Sequence, residues 1–268
     1  MSTVDTTHTH SHSEDSDGHG LNATVVYGPV VSRRYGTSLG INILPAAVKQ
    51  CSFNCVYCQL GWNDPALAFD PTAFPSVEKV EEDFRSALLE LKNSATPQLD
   101  DIVISGNGEP TLHPDFARVI AALQKVKNEL QPTVPLICLT SGTRLHEASI
   151  CQALQSLDEC AIKLDANMGR VNLPPPGFDR ERLLNIISKM PNAVIQSCFV
   201  AGSVNNTDPA SITDWLRAVK IARPKRLDLY TVSRATAAKG LAPVTTEFLE
   251  QLAETVATQL ASPVRVIA

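Results

Sequence analysis

Short, almost continuous apolar runs recur along the chain from about residue 23 onward. Val, Ile, Leu and Cys fill most of their positions, as expected for β-strands that are covered on both faces of a sheet. Six strands are predicted on this basis: Leu39–Leu44, Asp101–Ser105, Pro135–Thr140, Cys160–Asp165, Ala193–Val200 and Arg226–Thr231. A last short run, Val264–Ile267, predicts an additional edge strand.

Longer amphipathic stretches separate these runs. Their apolar residues return every three or four positions, as in Val80, Phe84, Leu88 and Leu91, which is the period of an α-helix with one buried face. Six helices are predicted: Ser76–Asn93, Pro114–Glu129, Leu145–Ser156, Asp179–Met190, Ser211–Ile221 and Thr246–Leu260.

The sixfold alternation of strand and helix predicts a parallel sheet with helices on its outside. Right-handed crossovers then build either an open, doubly wound sheet or a curved, barrel-like one. No internal repeat or Gly/Ser-rich linker divides the chain, so residues 23–268 are interpreted as one domain. Residues 1–22 consist mainly of Ser, Thr, His, Asp and Gly and predict a disordered, solvated tail. The tail carries four histidines: His8, His10, His12 and His19.

Composition narrows the class of protein. Of the 268 residues, 44% are hydrophobic and 19% charged, as in an ordinary globular protein. No apolar stretch approaches the ~20 residues of a membrane helix, and the N-terminus does not resemble a secretory signal, so we expect a cytoplasmic protein without a membrane partner. The net charge of −5 provides no general attraction to the phosphates of nucleic acid.

Three of the seven cysteines lie within eight residues, directly after the first predicted strand. The segment Cys51-Ser-Phe-Asn-Cys55-Val-Tyr-Cys58 has the spacing Cys-x3-Cys-x2-Cys. Three thiolates this close converge on one metal centre, and sulfur ligands select zinc or an iron–sulfur cluster. A structural zinc site needs four protein ligands, and the later histidines, His113 and His146, stand alone. The motif therefore predicts a metal centre with one open position, and the alternative is a zinc-stabilised nucleic-acid-binding module.

The other four cysteines are scattered along the chain. Cys138, Cys160 and Cys198 fall in predicted buried strands, and Cys151 falls on a predicted helix. A buried free cysteine behaves as a small apolar side chain. We expect all four to serve packing.

The cysteine motif resembles the cluster loop of the radical S-adenosylmethionine (radical SAM) superfamily, including the aromatic Tyr57 before its last cysteine. Most of the chain from residue 23 is similar to a small, single-domain group related to the archaeal wyosine-synthesis enzymes, which modify tRNA. The similar segments are Tyr27–Arg34, Ser38–Asn42, Gly108–Asp115, Lys163–Asp165 and Leu229–Thr231. The resemblance implies a partial (β/α)6 barrel with a curved parallel sheet.

The resemblance also implies a chemistry. In the superfamily three cysteines hold a [4Fe–4S] cluster, which assigns Cys51, Cys55 and Cys58 as metal ligands. S-adenosylmethionine binds the fourth iron, and an electron from an external flavodoxin- or ferredoxin-like donor cleaves it. The 5′-deoxyadenosyl radical so formed abstracts hydrogen from a substrate. The resemblance does not assign the catalytic residues. The substrate stays open between tRNA and a small metabolite or peptide, and the acidic charge balance weighs mildly against tRNA.

A second motif, Gly106-Asn107-Gly108-Glu109-Pro110, follows the second predicted strand. Glycine lets the backbone approach a ligand closely, and parallel sheets bind ligands at the carboxyl ends of their strands. In the superfamily a glycine-rich stretch ending in Glu holds the amino group of S-adenosylmethionine. Asn107, Gly108 and Glu109 are therefore expected to bind the cofactor, although Asn107 stands where the commonest form has another glycine.

The remaining expected cofactor-binding residues lie in the cysteine loop and at other strand ends. Tyr57 is expected to contact the adenine. Ser141, Lys163 and Asp165 lie where the third and fourth predicted strands end, although a structural ion pair between Lys163 and Asp165 is equally consistent with the sequence. Thr140 and Gln196 are further candidates for contact with the cofactor or the substrate. Arg33 and Arg34 are consistent either with packing and pairing on the surface or with holding an anionic substrate.

Overall fold

The structure is a computed structural model that describes residues 20–93, 98–260 and 262–267. Its strands are β1 Val26–Ser32, β2 Gly36–Ile41, β3 Asp101–Ile104, β4 Leu136–Thr140, β5 Glu159–Lys163, β6 Ala193–Gly202, β7 Arg226–Thr231, β8 Leu241–Pro243 and β9 Val264–Ile267. Its helices are α1 Val77–Lys92, α2 Phe116–Leu130, α3 Ala148–Gln155, α4 Met168–Val171, α5 Arg180–Ile187, α6 Pro209–Ala222 and α7 Thr246–Leu260. None of these helices is long and apolar enough to cross a membrane.

Strands β2 to β7 form a parallel sheet in chain order, and β9 extends it beside β7. Strand β1 pairs antiparallel with β2, and β8 pairs antiparallel with β6. The sheet curls into a half-barrel, so the structure confirms the partial (β/α)6 barrel. All six predicted strand–helix units and the predicted edge strand are present.

The hairpin of β1 and β2 differs from the prediction. Strand β2 spans Gly36–Ile41 rather than Leu39–Leu44. The side-chain amide of Asn42 explains its early end, because it accepts a bond from Leu44 N at 3.3 Å and donates one to Leu44 O at 3.2 Å, which curls the chain out of the ladder. Strand β1 was missed because it is a half-exposed edge strand, interrupted by Gly28-Pro29, without a continuous apolar run.

Successive residues of each strand point to opposite faces of the curved sheet. On β5, Cys160 and Ile162 pack in the large core between the sheet and its helices. Ala161 instead packs with Val103 and Val194 in a small apolar cluster on the inner face. The same alternation directs Lys163 toward the barrel interior.

The turn between β1 and β2 reaches across the barrel to the last strands. Arg34 Nη1 donates to Gln196 Oε1 on β6 at 3.0 Å, and its guanidinium carbon lies 4.6 Å from the ring centre of Tyr230 on β7. Gln196 Nε2 donates to the hydroxyl of Tyr35 at 2.6 Å. These contacts join the first and last parallel strands through the barrel interior.

The predicted tail is described only at its end. Residues 1–19, with the four tail histidines, lie outside the described residues. Asn22, which was also assigned to the tail, donates from its backbone N to Asn107 Oδ1 at 2.8 Å, and its carbonyl accepts from Asn107 Nδ2 at 2.9 Å. Asn22 therefore packs on the core.

Trp215 anchors α6 to the sheet and provides a test of the fold. It is fully buried, stacks edge-on against Phe199 at 5.3 Å, and donates to Leu164 O and Ser197 Oγ. Trp215→Ala should lower the free energy of unfolding by about 3–5 kcal/mol, because it leaves a cavity in the core. Chemical denaturation measures this. The exposed Lys220 on the same helix is the control, and Lys220→Ala should change stability by less than about 0.5 kcal/mol. Equal losses in the two variants would contradict this packing.

Candidate active site

The cysteine loop is fastened to the segment that follows β3. Gln50 N donates to Asn107 O at 2.9 Å, and Glu109 N donates to Gln50 O at 2.8 Å, which forms an isolated parallel bridge between Gln50 and Gly108. Gly108 has a φ of +145°, and a Cβ atom there would lie 1.7 Å from the carbonyl oxygen of Gln50. Only glycine fits this approach.

Further bonds hold the loop to β4 and α4. Ser52 Oγ lies 2.9 Å from Ser141 Oγ and accepts from Thr143 Oγ1 at 2.8 Å, both of which follow β4. On the other side, Asn54 N donates to Asn172 O at 3.0 Å, just after α4. The loop thus lies over the carboxyl ends of several strands.

The three clustered cysteines are free and partly exposed. Burial, more than any other influence, raises the pKa of Cys55 to about 11, and burial also raises the pKa of Cys51. Cys51 also interacts electrostatically with Glu109 and Cys55, and Cys55 interacts with Asp165. The loop thus lies close to the Glu109 carboxylate on one side and to the Asp165 carboxylate on the other. Thiols in this state are protonated at neutral pH and lose their protons on binding a metal.

The donor set fits an iron–sulfur cluster in its chemistry. Three thiols in one loop, with no fourth ligand in the motif, leave one iron of a [4Fe–4S] cluster without a protein ligand. Among the described residues, no three His, Cys, Asp or Glu side chains are grouped so that they could hold a metal ion. The assignment of Cys51, Cys55 and Cys58 as ligands therefore stays a prediction.

Glu109 is held rigidly beside this loop. Its carboxylate is 2% exposed, and Oε1 accepts bonds from Thr111 N at 3.1 Å, Thr111 Oγ1 at 2.6 Å and Thr140 Oγ1 at 2.6 Å. Oε2 accepts from Ser141 N at 2.6 Å, which leaves it capacity for a further donor. The structure thus brings together three residues that the sequence analysis singled out: Glu109, Thr140 and Ser141.

Asn107 faces away from this carboxylate. It is fully buried, and its amide donates to Asn22 O at 2.9 Å and to Pro45 O at 2.8 Å while its oxygen accepts from Asn22 N. A bond between this amide and a cofactor would have to replace one of these contacts. The position of Asn107 thus favours a structural role, in which it holds the N-terminal segment against the Gly-Glu motif.

A polar network around Asp165 lies on the other side of the cysteine loop from Glu109. The hydroxyl of Tyr57 donates to Asp165 Oδ2, and Cys198 N donates to Asp165 Oδ1 at 2.6 Å. Asn172 Nδ2 lies within bonding distance of Asp165 Oδ2 at 2.6 Å, Tyr57 Oη at 2.9 Å and Cys55 Sγ at 3.4 Å. Asp165 is fully buried, and this desolvation raises its pKa despite Lys163 and these donors.

Lys163 does not form the ion pair with Asp165 that the sequence left open. Its ammonium donates to the hydroxyl of Tyr230 and lies 5.9 Å from the ring centre of Tyr57. Burial lowers the pKa of Lys163, and the guanidinium of Arg34 adds to this shift. Lys163 therefore faces the interior between the cysteine loop and β7.

Sequence reasoning missed Asn172, Thr111 and Tyr230 as site residues. Thr111 and Tyr230 fall inside segments that resemble the superfamily, but nothing in their own spacing gave them a role. Asn172 follows a helix of four residues, which is too short to show an apolar period in the sequence. Their partners are identified only by the folded chain.

The sequence of this chain is similar to known proteins. The family model described as "Radical SAM superfamily" matches residues 48–252, a range that includes both motifs. The chain belongs to the radical SAM superfamily. Membership implies a [4Fe–4S] cluster and S-adenosylmethionine as cofactors.

Two relatives of the chain are UPF0026 proteins. The chain is 34% identical to one from Helicobacter pylori over 82% of its own length and 70% of that protein, and 25% identical to one from Methanocaldococcus jannaschii over 85% and 70%.

Solved radical SAM structures share the fold at low identity. SuiB of Streptococcus suis bound to S-adenosylmethionine matches with a TM-score of 0.58 and 14% identity, over 85% of this chain and 50% of that one. TYW1 with a lysine-pyruvate adduct bound matches with a TM-score of 0.56 and 15% identity, over 84% and 75%. This radical SAM chain therefore spans about half the length of the SuiB chain that it matches.

The close contact at Gly108 yields a prediction. Gly108→Ala should break the bridge to Gln50, because its Cβ would overlap the Gln50 oxygen, and the unfavourable φ alone costs about 1–3 kcal/mol. We expect reduced stability in chemical denaturation and less iron bound per chain after anaerobic reconstitution. The control is Gly169→Ala in α4, where no atom lies within 4 Å of the added Cβ, and which should retain iron. Equal iron binding in the two variants would show that the bridge does not hold the loop.

Proposed function

We propose that this chain uses a [4Fe–4S] cluster on Cys51, Cys55 and Cys58 to cleave S-adenosylmethionine reductively and so generates a radical that abstracts hydrogen from a substrate. The main observation in support of this proposal is the backbone bridge between Gln50 and Gly108, because it brings the cysteine loop beside the Glu109 carboxylate. The bound cofactors supply the electron-transfer and radical chemistry, and the chain supplies their orientation.

Particular side chains support this proposal. Glu109 Oε2 is the proposed acceptor for the amino group of S-adenosylmethionine, since its other oxygen is already occupied by three donors. Ser141 contacts the cysteine loop through Ser52, and Asp165 contacts it through the hydroxyl of Tyr57, whose ring is the proposed adenine contact. Lys163 lies in the same interior and can reach either the cofactor or a substrate.

The proposal needs an external electron donor of the flavodoxin or ferredoxin kind. The substrate of the chain stays open between a tRNA, which the resemblance to the wyosine-synthesis enzymes suggests, and a small metabolite or peptide. SuiB has been seen bound to a precursor peptide and TYW1 with a lysine-pyruvate adduct, so the shared fold admits different substrate classes. The net charge of −5 favours the smaller substrates over tRNA.

Metal content tests the cluster against the zinc alternative. Protein reconstituted without oxygen should bind about four irons per chain and, once reduced, release 5′-deoxyadenosine from S-adenosylmethionine. Cys51→Ala, Cys55→Ala and Cys58→Ala should each lose the cluster. Stoichiometric zinc without iron under the same conditions would contradict the proposal.

The scattered cysteines provide matched controls for this test. Cys138, Cys160 and Cys198 are buried in strands, and Cys151 lies on α3. Each of these thiols lies outside the Cys-x3-Cys-x2-Cys motif, so alanine at any of them should leave the iron content unchanged, including at Cys198, which packs in one cluster with Val56 of the loop. Loss of iron from a folded variant of this group would show that the ligand set is wrong.

Glu109→Gln tests the proposed position of the cofactor. A charge-assisted bond to an ammonium is worth roughly 1.5–3 kcal/mol, so the affinity for S-adenosylmethionine should fall about tenfold or more while the cluster is retained. Titration of the reduced, cluster-loaded protein measures this. Thr111→Val is the control, because it removes a hydroxyl bonded to Glu109 but keeps the charge, and it should have the smaller effect. Unchanged affinity in Glu109→Gln would mean that the cofactor binds elsewhere.

A further inference from the structure

Two cations meet at Tyr230 inside the barrel. Arg34, from the β1–β2 turn, places its guanidinium carbon 4.6 Å from the ring centre of Tyr230. Lys163, from β5, donates to the hydroxyl of the same residue. Both cations are partly exposed, whereas Tyr230 is buried. Two positive charges therefore meet at one buried aromatic side chain, and both keep some exposure to solvent.

Neither cation has a carboxylate within 4.0 Å among the described residues. Arg34 bonds the neutral amide of Gln196, and Lys163 bonds a neutral hydroxyl. The nearby Asp165 is occupied by neutral donors from Tyr57, Asn172 and Cys198. The pair thus has no salt-bridge partner, and Asp165 acts on Lys163 only from beyond 4.0 Å.

The buried carboxylate of Asp228 on the neighbouring part of the barrel shows how a charge is compensated there. Asp228, on the inner face of β7 two residues before Tyr230, lies 2.8 Å from Arg226 and 2.6 Å from Arg265. Arg226 also pairs with Glu159 at 2.8 Å. Because burying an unpaired charge is costly, proteins pair such groups or leave them for a ligand. Asp228 thus has two cations of its own, whereas Arg34 and Lys163 have no carboxylate of the described residues within salt-bridge distance.

The position of the pair separates it from the Glu109 carboxylate. Glu109 and Ser141 follow β3 and β4, whereas Gln196 and Tyr230 belong to β6 and β7. From β4 to β7 there are three strand spacings, about 14 Å measured along the sheet. Tyr230 and Gln196, where the two cations meet, therefore lie away from the proposed site for the cofactor's amino group, and Lys163 reaches Tyr230 from β5, which is next to β4.

We propose that Arg34 and Lys163 together bind an anionic group of the substrate, a carboxylate or a phosphate. The inference rests on the proposed function, and it assigns Lys163 to the substrate rather than to the cofactor. A guanidinium with free N–H donors and an ammonium are the groups that recognise such anions. The substrate class is thereby narrowed to compounds that carry a negative charge near the hydrogen to be abstracted.

Binding of simple anions tests this assignment. The probes are inorganic phosphate and acetate, each titrated against chloride of equal ionic strength into the anaerobically reconstituted protein with saturating S-adenosylmethionine. The dependence of the unfolding temperature on probe concentration gives an apparent Kd. At least one probe should stabilise the wild-type protein more than chloride does, and the stronger of the two distinguishes phosphate from carboxylate.

Single substitutions then locate the site. Arg34→Gln and Lys163→Met should each raise the apparent Kd by about tenfold or more, whereas Arg34→Lys should retain part of the binding. The control is Arg33→Gln, because Arg33 is the adjacent arginine but is exposed and bonds Ser233 Oγ at 2.5 Å. It should bind the probe like the wild type. If Arg34→Gln fails to fold, Lys163→Met and Arg34→Lys still report on the site.

Several outcomes would overturn the assignment: no stabilisation beyond chloride, equal Kd values in all variants, or binding that saturating S-adenosylmethionine abolishes. The last result would mean that the pair holds the carboxylate of the cofactor. Release of 5′-deoxyadenosine is scored separately in the same preparations. Cleavage without anion binding contradicts only this inference, and anion binding without cluster or cleavage contradicts only the proposed function.

Discussion

The backbone bridge between Gln50 and Gly108 is the constraint on which the site depends. Two peptide hydrogen bonds join the cysteine loop, which has no regular structure, to the end of β3. Backbone groups that approach so closely exclude any side chain at Gly108. The bridge also fixes the position of the cysteine loop relative to the carboxylate of Glu109, so the proposed metal ligands and the proposed cofactor-binding residue are joined through the backbone.

The polar network around Asp165 plays the corresponding part on the other side of the loop. A fully buried carboxylate is costly unless donors surround it, and here Tyr57, Asn172 and the backbone of Cys198 supply them. Because Asn172 also contacts Cys55, the network couples the interior of the barrel to the cysteine loop. Its donors leave Lys163 free to face the interior instead of pairing with Asp165.

The barrel thus divides into two halves with different chemistry. Beside the thiols, the β3–β4 half carries the carboxylate of Glu109, whereas in the other half two cations, Lys163 from β5 and Arg34 from the β1–β2 turn, contact the Tyr230 side chain on β7. The β1–β2 turn makes the second half possible, because it brings Arg34 across the opening of the sheet to Gln196 and Tyr230. A half-barrel closed by a hairpin turn can hold a cofactor and a substrate side by side.

The sequence by itself determined the six strand–helix units, because apolar period and strand–helix alternation are local properties, and it determined the two motifs at adjoining strand ends. It misjudged the limits of β2, whose end is set by the Asn42 turn, and it missed β1, an edge strand without a continuous apolar run. Only the tertiary structure turned Asn107 toward Asn22, separated Lys163 from Asp165, and brought Arg34 and Asn172 to the site. These contacts join residues that are 67 to 162 positions apart, and contacts at such separations leave no periodic signal along a chain.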